Sequence, residues 1–493
     1  MELTAEQEAV RNAKATNVAV LAYAGTGKTS TLVEWAKAHP RERTLYLAFN
    51  RSVKEEAARR FPPHVTSLTS HALAFATTGR PYRHKLTGSL RAFTIIKALG
   101  FNWVPYRQRL YHVKLALETL SAFFASSAET ITVDLVPKNP EFAHLSNMLN
   151  VSQVARDANT IWKHMRDPSD PSVSMVHDGY LKLFVMGRPH LQFDTILFDE
   201  AQDANPVTIQ LVENQTGSRR LWVGDPWQAI YGFRGAVNAM DQVTAHQTFR
   251  LTGSFRFGRA IASAATELLR WRDTSTPELR GLSNALGTIR VANPSQRPYT
   301  FLARTNARLF AEAVAILTKS PTANLGFVGG IDGYRFDLIE DVYRLWANEP
   351  VNDAFLKLIG SFHALETYAG AVGDTEYILR CRLVKDWGHA IPQWIKRIQA
   401  AAVPVEHANV ALATAHKAKG LEWSVVQIAD DFPDLEKDRA NWEAWIQAVP
   451  GREKSRLADK LLPQEELNLL YVAATRARSE LYLPPHLGIL IQA

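Results

Sequence analysis

The sequence predicts an α/β protein with parallel strands, and two local patterns predict it. The apolar run from Val18 to Tyr23 passes through a glycine-rich turn, Gly25-Thr26-Gly27-Lys28-Thr29, into a helical stretch from Ser30 to Lys37. A second, mostly apolar run from Phe193 to Phe198 ends in the acidic pair Asp199-Glu200. Apolar runs of this length read as strands covered on both faces, the usual state of a parallel sheet.

Each pattern carries chemistry. Strand, glycine-rich turn and helix in that order form the context of a P-loop, in which backbone N–H groups close around phosphate oxygens at a helix N-terminus. Ala24, Gly25, Thr26, Gly27 and Ser30 complete the candidate cradle. Lys28 suits the β- and γ-phosphates, and the Thr29 hydroxyl suits Mg²⁺. Ala22 stands where the full pattern begins with glycine. In an open parallel sheet, ligands lie beyond the carboxyl ends of the strands. Asp199 and Glu200 are therefore expected to face the same phosphates. Asp199 is read as the Mg²⁺ carboxylate and Glu200 as the base that orients the attacking water. The two patterns together predict hydrolysis of a nucleoside triphosphate.

Further motifs follow in order. Leu3-Thr4-Ala5-Glu6-Gln7 opens the chain, and Phe49-Asn50-Arg51 and Thr69-Ser70-His71 lie beyond the phosphate loop. The stretch from Val223 to Ala236 reads VGDPWQAIYGFRGA. Tyr231 and Phe233, two apart and followed by Arg234, would point the same way in extended chain and form a stacking platform for unpaired bases. Such stacking is worth about 1–3 kcal/mol per base. Then come Leu251-Thr252-Gly253-Ser254-Phe255-Arg256-Phe257, Leu302-Ala303-Arg304-Thr305-Asn306, the run from Thr414 to Trp423 (TAHKAKGLEW), and Tyr471-Val472-Ala473-Ala474-Thr475-Arg476-Ala477-Arg478.

This series resembles the UvrD/Rep group of superfamily 1 helicases, and is more similar still to the F-box DNA helicase branch without its F-box. The resemblance runs from Leu3 to Arg478 and implies two RecA-like P-loop motor domains with helical inserts. It implies that Gln7 reads adenine, Phe255 stacks on it, and Glu422 holds the ribose. Gln228 would sense the γ-phosphate, with Arg256 and Arg476 as arginine fingers from the second motor domain. DNA contacts would come from Phe49, Asn50, Thr69, His71, Tyr231, Phe233, Arg234, Arg304, Thr414 and His416. ATP with Mg²⁺ would draw the two domains together, and each cycle would move one DNA grip past the other. The implied movement is 3′→5′ on single-stranded DNA, with single/double-strand junctions as substrates. A role in DNA repair or recombination follows by the same resemblance, with a recombinase filament or a separate nuclease as partner.

The domain limits follow from the gaps between motifs. Residues 1–75 and 150–248 form the first motor domain (1A), and 249–317 with 405–493 the second (2A). Residues 76–149 form a helical insert (1B) carrying Lys85, Arg91, Lys97, Arg107, Arg109 and Lys114, expected over the DNA channel. Residues 318–404 form a small accessory insert (2B).

Composition sets outer bounds. The 493 residues are 46% hydrophobic, enough for several cores, with a net charge of +7 and a pI near 9.3 that suit a nucleic-acid groove. Cys381 is the one cysteine, so no intrachain disulfide or cysteine-rich metal site can form, which points to a reducing, cytoplasmic setting, nucleoid-associated in a bacterium. No run is long enough to span a membrane, and no signal peptide is expected. Two other readings remain open at this stage. One is a nucleotide-gated clamp or protein-stripping translocase on single strands. The other is a small-molecule P-loop enzyme, which leaves residues 223–236 without a purpose.

Lys28→Ala is expected to abolish nucleotide hydrolysis while sparing part of the DNA binding. Steady-state turnover at the normal rate in this variant would overturn the P-loop assignment. Phe233→Ala is expected to keep ATP binding but weaken its coupling to DNA, and an unchanged unwinding rate would return Phe233 to the core.

Overall fold

The structure, a computed structural model, describes residues 2–137, 150–232, 235–271, 275–283, 287–295, 298–372, 374–435, 437 and 464–491, apart from the side chains at 52, 106, 107, 371, 372 and 375. The chain divides into two units: Met1–Tyr23 with Gly27–Leu251, and Ala24–Thr26 with Thr252–Ala493.

The first unit is organised by six parallel strands: β1 (Asn17–Ala22), β2 (Thr44–Ala48), β3 (Val65–Thr69), β4 (Thr195–Phe198), β5 (Arg219–Gly224) and β6 (Gln247–Leu251). Their order across the sheet is β3-β2-β4-β5-β1-β6. The register sets Val20 opposite Val223 and Leu47 opposite Phe198. Every residue of β2 and β4 is buried, as expected of strands sandwiched between helical layers. Because all pairings are parallel, every strand delivers its carboxyl end to one edge of the sheet. The loops after Ala22, Ala48, Thr69, Phe198 and Gly224 therefore converge there.

Two cores flank this sheet. One gathers Val18, Val20, Trp35, Tyr46, Phe61 and Leu251. The other runs from Ala19 and Leu45 into the insert, through Ile95, Phe101, Val113 and Phe123, to Trp162 and Phe184. The insert is helical, with Ala92–Leu99 and Tyr106–Ala125 as its main elements. It is clasped by a parallel two-stranded pair, Leu86–Thr87 with Met175–Val176.

A buried polar knot fastens the insert to helix Val151–Arg166. Asp157, 2% exposed, takes His112 Nε2 at 2.6 Å, Trp103 Nε1 at 3.0 Å and Gln153 Nε2 at 2.9 Å. Lys85 differs from the sequence expectation of a DNA-facing cation. It is buried, and its ammonium donates to the carbonyls of His164, Asp167 and Asp170. Three carbonyls around one ammonium satisfy all its donors, so it closes a turn instead of facing solvent.

The main sheet of the second unit has seven strands among the described residues: β7 (Thr288–Val291), β8 (Tyr299–Ala303), β9 (Leu325–Phe327), β10 (Ala402–Val403), β11 (Val410–Thr414), β12 (Trp423–Ile428) and β13 (Ala477–Leu483). They are ordered β7-β13-β12-β8-β11-β9-β10, all parallel. The accessory segment 318–404 thus lends two short strands to the sheet edge. Its helices share a core with Phe301, Leu309 and Phe310. Cys381 is buried in that region, and burial pushes its thiol up to about 12. Among the described residues no helix is long and apolar enough to cross a membrane.

Asp157→Ala leaves the buried His112 without its partner, at about 1–3 kcal/mol, while the exposed Trp103 and half-buried Gln153 can turn to water. The variant is expected to lose about 1–3 kcal/mol in urea unfolding of the first unit, and a loss under about 0.5 kcal/mol would show that the knot does not fasten the insert.

Candidate functional site

The phosphate loop hangs on backbone geometry. Gly25 (φ +74) and Gly27 (φ +79) both occupy left-handed conformations that side-chain-bearing residues rarely adopt. Gly27 is the N-cap of helix Lys28–Ala38, so the helix begins earlier than the sequence suggested, on Lys28 itself. Ala24 and Thr26 are buried. The Ser30 hydroxyl accepts from Arg60 Nη2 at 2.7 Å.

At the same sheet edge, the turn after β4 brings its carboxylates to that helix. Lys28 Nζ lies 3.9 Å from Glu200 Oε1, and the Thr29 hydroxyl donates to Asp199 Oδ2 at 3.0 Å. Glu200 holds φ +53, an uncommon conformation for a glutamate, and its N–H donates to Asp199 Oδ1 at 2.9 Å. Strain of this kind persists where the surroundings over-determine it. Asp199 is 1% exposed. Burial, then the neighbouring Glu200 charge, pushes its carboxyl up, against the pull of Lys28.

Three residues that sequence reasoning left without a role complete the arrangement. Gln202 Nε2 donates to Glu200 Oε2 at 2.5 Å, while its Oε1 accepts the Asp225 N–H at 3.0 Å. Asp225, fully buried, accepts from Gln228 Nε2 at 2.6 Å. Gln202 therefore links the turn after β4 to the turn after β5. Tyr46, in the middle of β2, donates its O–H to Asp199 Oδ2 at 2.8 Å. Asp225 lies inside the marked stretch from Val223 to Ala236 and Gln202 two positions past the acidic pair, so proximity could have flagged them. Nothing in an apolar strand distinguishes a tyrosine with a polar task from a core one.

These residues fit a magnesium nucleotide. A hydroxyl beside a buried carboxylate is a hard-oxygen donor set, and burial without a full complement of positive charge leaves that carboxylate suited to a cation. Among the described residues no group of three or more His, Cys, Asp or Glu side chains could hold a metal ion. Mg²⁺ needs none, since it keeps waters and takes substrate phosphates as ligands.

Gln7 lies in a capping box: its Oε1 accepts the Thr4 N–H at 3.0 Å, and its own N–H donates to Thr4 Oγ1 at 3.2 Å. Its carbonyl end thus starts helix Ala5–Arg11, a task beside the adenine reading expected of it.

The candidate DNA residues of the first unit also follow strand ends. Phe49 is 45% exposed, and its ring lies parallel to Tyr231 at 6.2 Å and 8°. Asn50 and Thr69 are helix N-caps, accepting the N–H groups of Val53 and Ala72. His71 Nε2 is 2.9 Å from Asp178 Oδ1, and that bond holds the Asp178 carboxyl below its usual range. Phe233 and Arg234 lie outside the described residues.

In the second unit, Arg256 donates through Nε to Glu422 at 2.7 Å and through Nη1 to the Thr475 carbonyl at 3.0 Å. Phe255 is half-buried beside it. Arg476 is 1% exposed and bonds the carbonyls of Val472 and Leu421. Thr414 is buried at the start of helix Ala415–Ala418, with His416 half-buried one turn on. Arg304, expected on DNA, grips Glu466 with two bonds of 2.6 and 2.5 Å. The bidentate pair fixes the Nε–Nη2 edge of the guanidinium on one carboxylate and uses two of its five N–H donors.

Arg304→Ala is accordingly expected to cost about 2 kcal/mol of stability while changing single-strand affinity less than about twofold. A tenfold weaker affinity at unchanged stability would put Arg304 on the DNA.

Comparison with known proteins finds matches in both units. A model described as the UvrD/REP helicase N-terminal domain matches residues 183–246, and one described as the UvrD-like helicase C-terminal domain matches residues 396–487. The chain is 33% identical over 519 residues to F-box DNA helicase 1 of Gallus gallus, covering 100% of this chain and 50% of that protein. It is 30% identical over 522 residues to F-box DNA helicase protein 1 of Schizosaccharomyces pombe (strain 972 / ATCC 24843), covering 98% of this chain and 57% of that protein. The chain thus spans about half the length of the curated relatives it matches. With α/β parallel sheets in both units and family matches in both, the chain belongs to the UvrD-like helicases.

Proposed function

We propose that this chain is an ATP-dependent DNA motor that moves 3′→5′ on single-stranded DNA and separates duplex ahead of it. The observation that carries this reading is the convergence of Lys28, Thr29, Asp199 and Glu200 at one sheet edge, with Lys28 3.9 Å from Glu200 and Thr29 3.0 Å from Asp199. That set can hold a triphosphate and orient water against it. The parallel rings of exposed Phe49 and half-buried Tyr231, which follow strands of the same sheet, support the DNA half of the reading.

In this reading the phosphate loop binds ATP, and Lys28 neutralises its terminal phosphates. Thr29 and Asp199 would hold Mg²⁺, which would supply positive charge against the leaving phosphates. Glu200 takes the proton of the attacking water, and Gln202 fixes the orientation of its carboxylate through the bond to Oε2. Gln228, anchored by Asp225, senses the γ-phosphate. Arg256 and Arg476 act as fingers, Arg256 while fixed by Glu422 and the Thr475 carbonyl and Arg476 while fixed by the carbonyls of Val472 and Leu421. Bases stack on Phe49 and Tyr231, so hydrolysis is read out as a change of grip on the strand. A place in repair or recombination, acting on junctions or on recombinase-coated strands, rests on the resemblance to the F-box helicases.

Steady-state ATP hydrolysis with and without single-stranded DNA tests the proposal. Stimulation of about tenfold or more is expected, with Glu200→Gln lowering the stimulated rate by about 10²–10⁴-fold. A rate indifferent to DNA would reject the motor. Brisk stimulation with no strand displaced from a tailed duplex would leave translocation or clamping without unwinding.

A further inference from the structure

Tyr46 is fully buried on β2, and its register neighbour on β4 is Leu197, two residues before Asp199. Its ring packs against Phe61 at 4.7 Å, a contact that phenylalanine would make equally well. The hydroxyl is what distinguishes it, because a buried phenol needs an acceptor. That acceptor is Asp199 Oδ2 at 2.8 Å, the same oxygen that takes the Thr29 hydroxyl at 3.0 Å. The other oxygen, Oδ1, is fixed by the Glu200 N–H at 2.9 Å. Three donors therefore set the plane and position of a carboxylate that water does not reach. Two of them come from residues with tasks of their own on the nucleotide. Tyr46 reaches in from a different strand.

We infer that Tyr46 is a positioning residue for the magnesium end of the site: its O–H holds the Asp199 carboxylate beside the Thr29 hydroxyl, so that both oxygens are presented together to the divalent cation that accompanies ATP. Tyr46 touches neither substrate nor cation in this role and acts through Asp199 alone. The inference rests on the reading of the site as a magnesium nucleotide site. Partners that orient a metal's ligands typically alter metal affinity by about 10–100-fold when removed.

The test is a Mg²⁺ titration of fluorescent ADP binding in the intact chain, beside the same binding in EDTA. Tyr46→Phe keeps the ring and removes only the hydroxyl. Its apparent Mg²⁺ affinity is expected to fall about tenfold while binding in EDTA stays at the wild-type level. In an Asp199→Asn background the same substitution is expected to add no further loss. Superimposable Mg²⁺ titrations for wild type and Tyr46→Phe would overturn the inference and leave Tyr46 a core residue. Equal weakening with and without Mg²⁺ would also overturn it, as general damage to the fold. Wild-type binding that ignores Mg²⁺ would instead bring down the reading of the site, and the inference with it.

Discussion

A carboxylate buried to 1% exposure at the end of a parallel strand is the constraint on which the site depends. An isolated ionised group in such a place is costly, so its surroundings must supply donors and positive charge. For Asp199 they come from three places in the sequence: Tyr46 on a neighbouring strand, Thr29 at the head of a helix, and the Glu200 backbone. Only an all-parallel sheet brings the ends of β1, β2, β4 and β5 to one edge. The left-handed turn at Glu200 then follows as a local consequence. It directs the glutamate N–H back to Asp199 and leaves its carboxylate facing Lys28 and Gln202.

The same economy governs the arginines of the second unit. Arg256 rests on Glu422, Arg304 on Glu466, and Arg476 on the carbonyls of Val472 and Leu421. A guanidinium already fixed by hydrogen bonds loses less freedom when it meets a phosphate than a mobile one does. Arg304, directly after β8, is fixed along one edge by its two bonds to Glu466.

Local sequence was enough to read the phosphate loop, because glycine at a left-handed turn before a helix is a requirement of the backbone itself. Asp199 and Glu200 were legible because an apolar run ending in acid, read beside the phosphate loop, marks the carboxyl end of a strand where a ligand sits. Gln228, Arg256 and Glu422 were legible only as parts of longer motifs. Asn50 and Thr69 were singled out only through the resemblance of their motifs, and their helix-capping bonds were not foreseen. Lys85 was misread, since a lysine in a basic helical segment looks solvent-facing until its carbonyl partners, 79 to 85 positions away, are in place.

By itself the sequence determined the fold class, the phosphate loop and the acidic pair, because each depends on backbone preference or on the pattern of apolar residues along a few consecutive positions. Tertiary structure alone decided which side chain meets which carboxylate: Tyr46 with Asp199, Gln202 between Glu200 and Asp225, Asp157 with His112, Arg304 with Glu466. The physical reason is that a hydrogen bond is satisfied across space, to within a few tenths of an ångström. Its partners can lie 2 or 162 positions apart without leaving any mark on the sequence around either one.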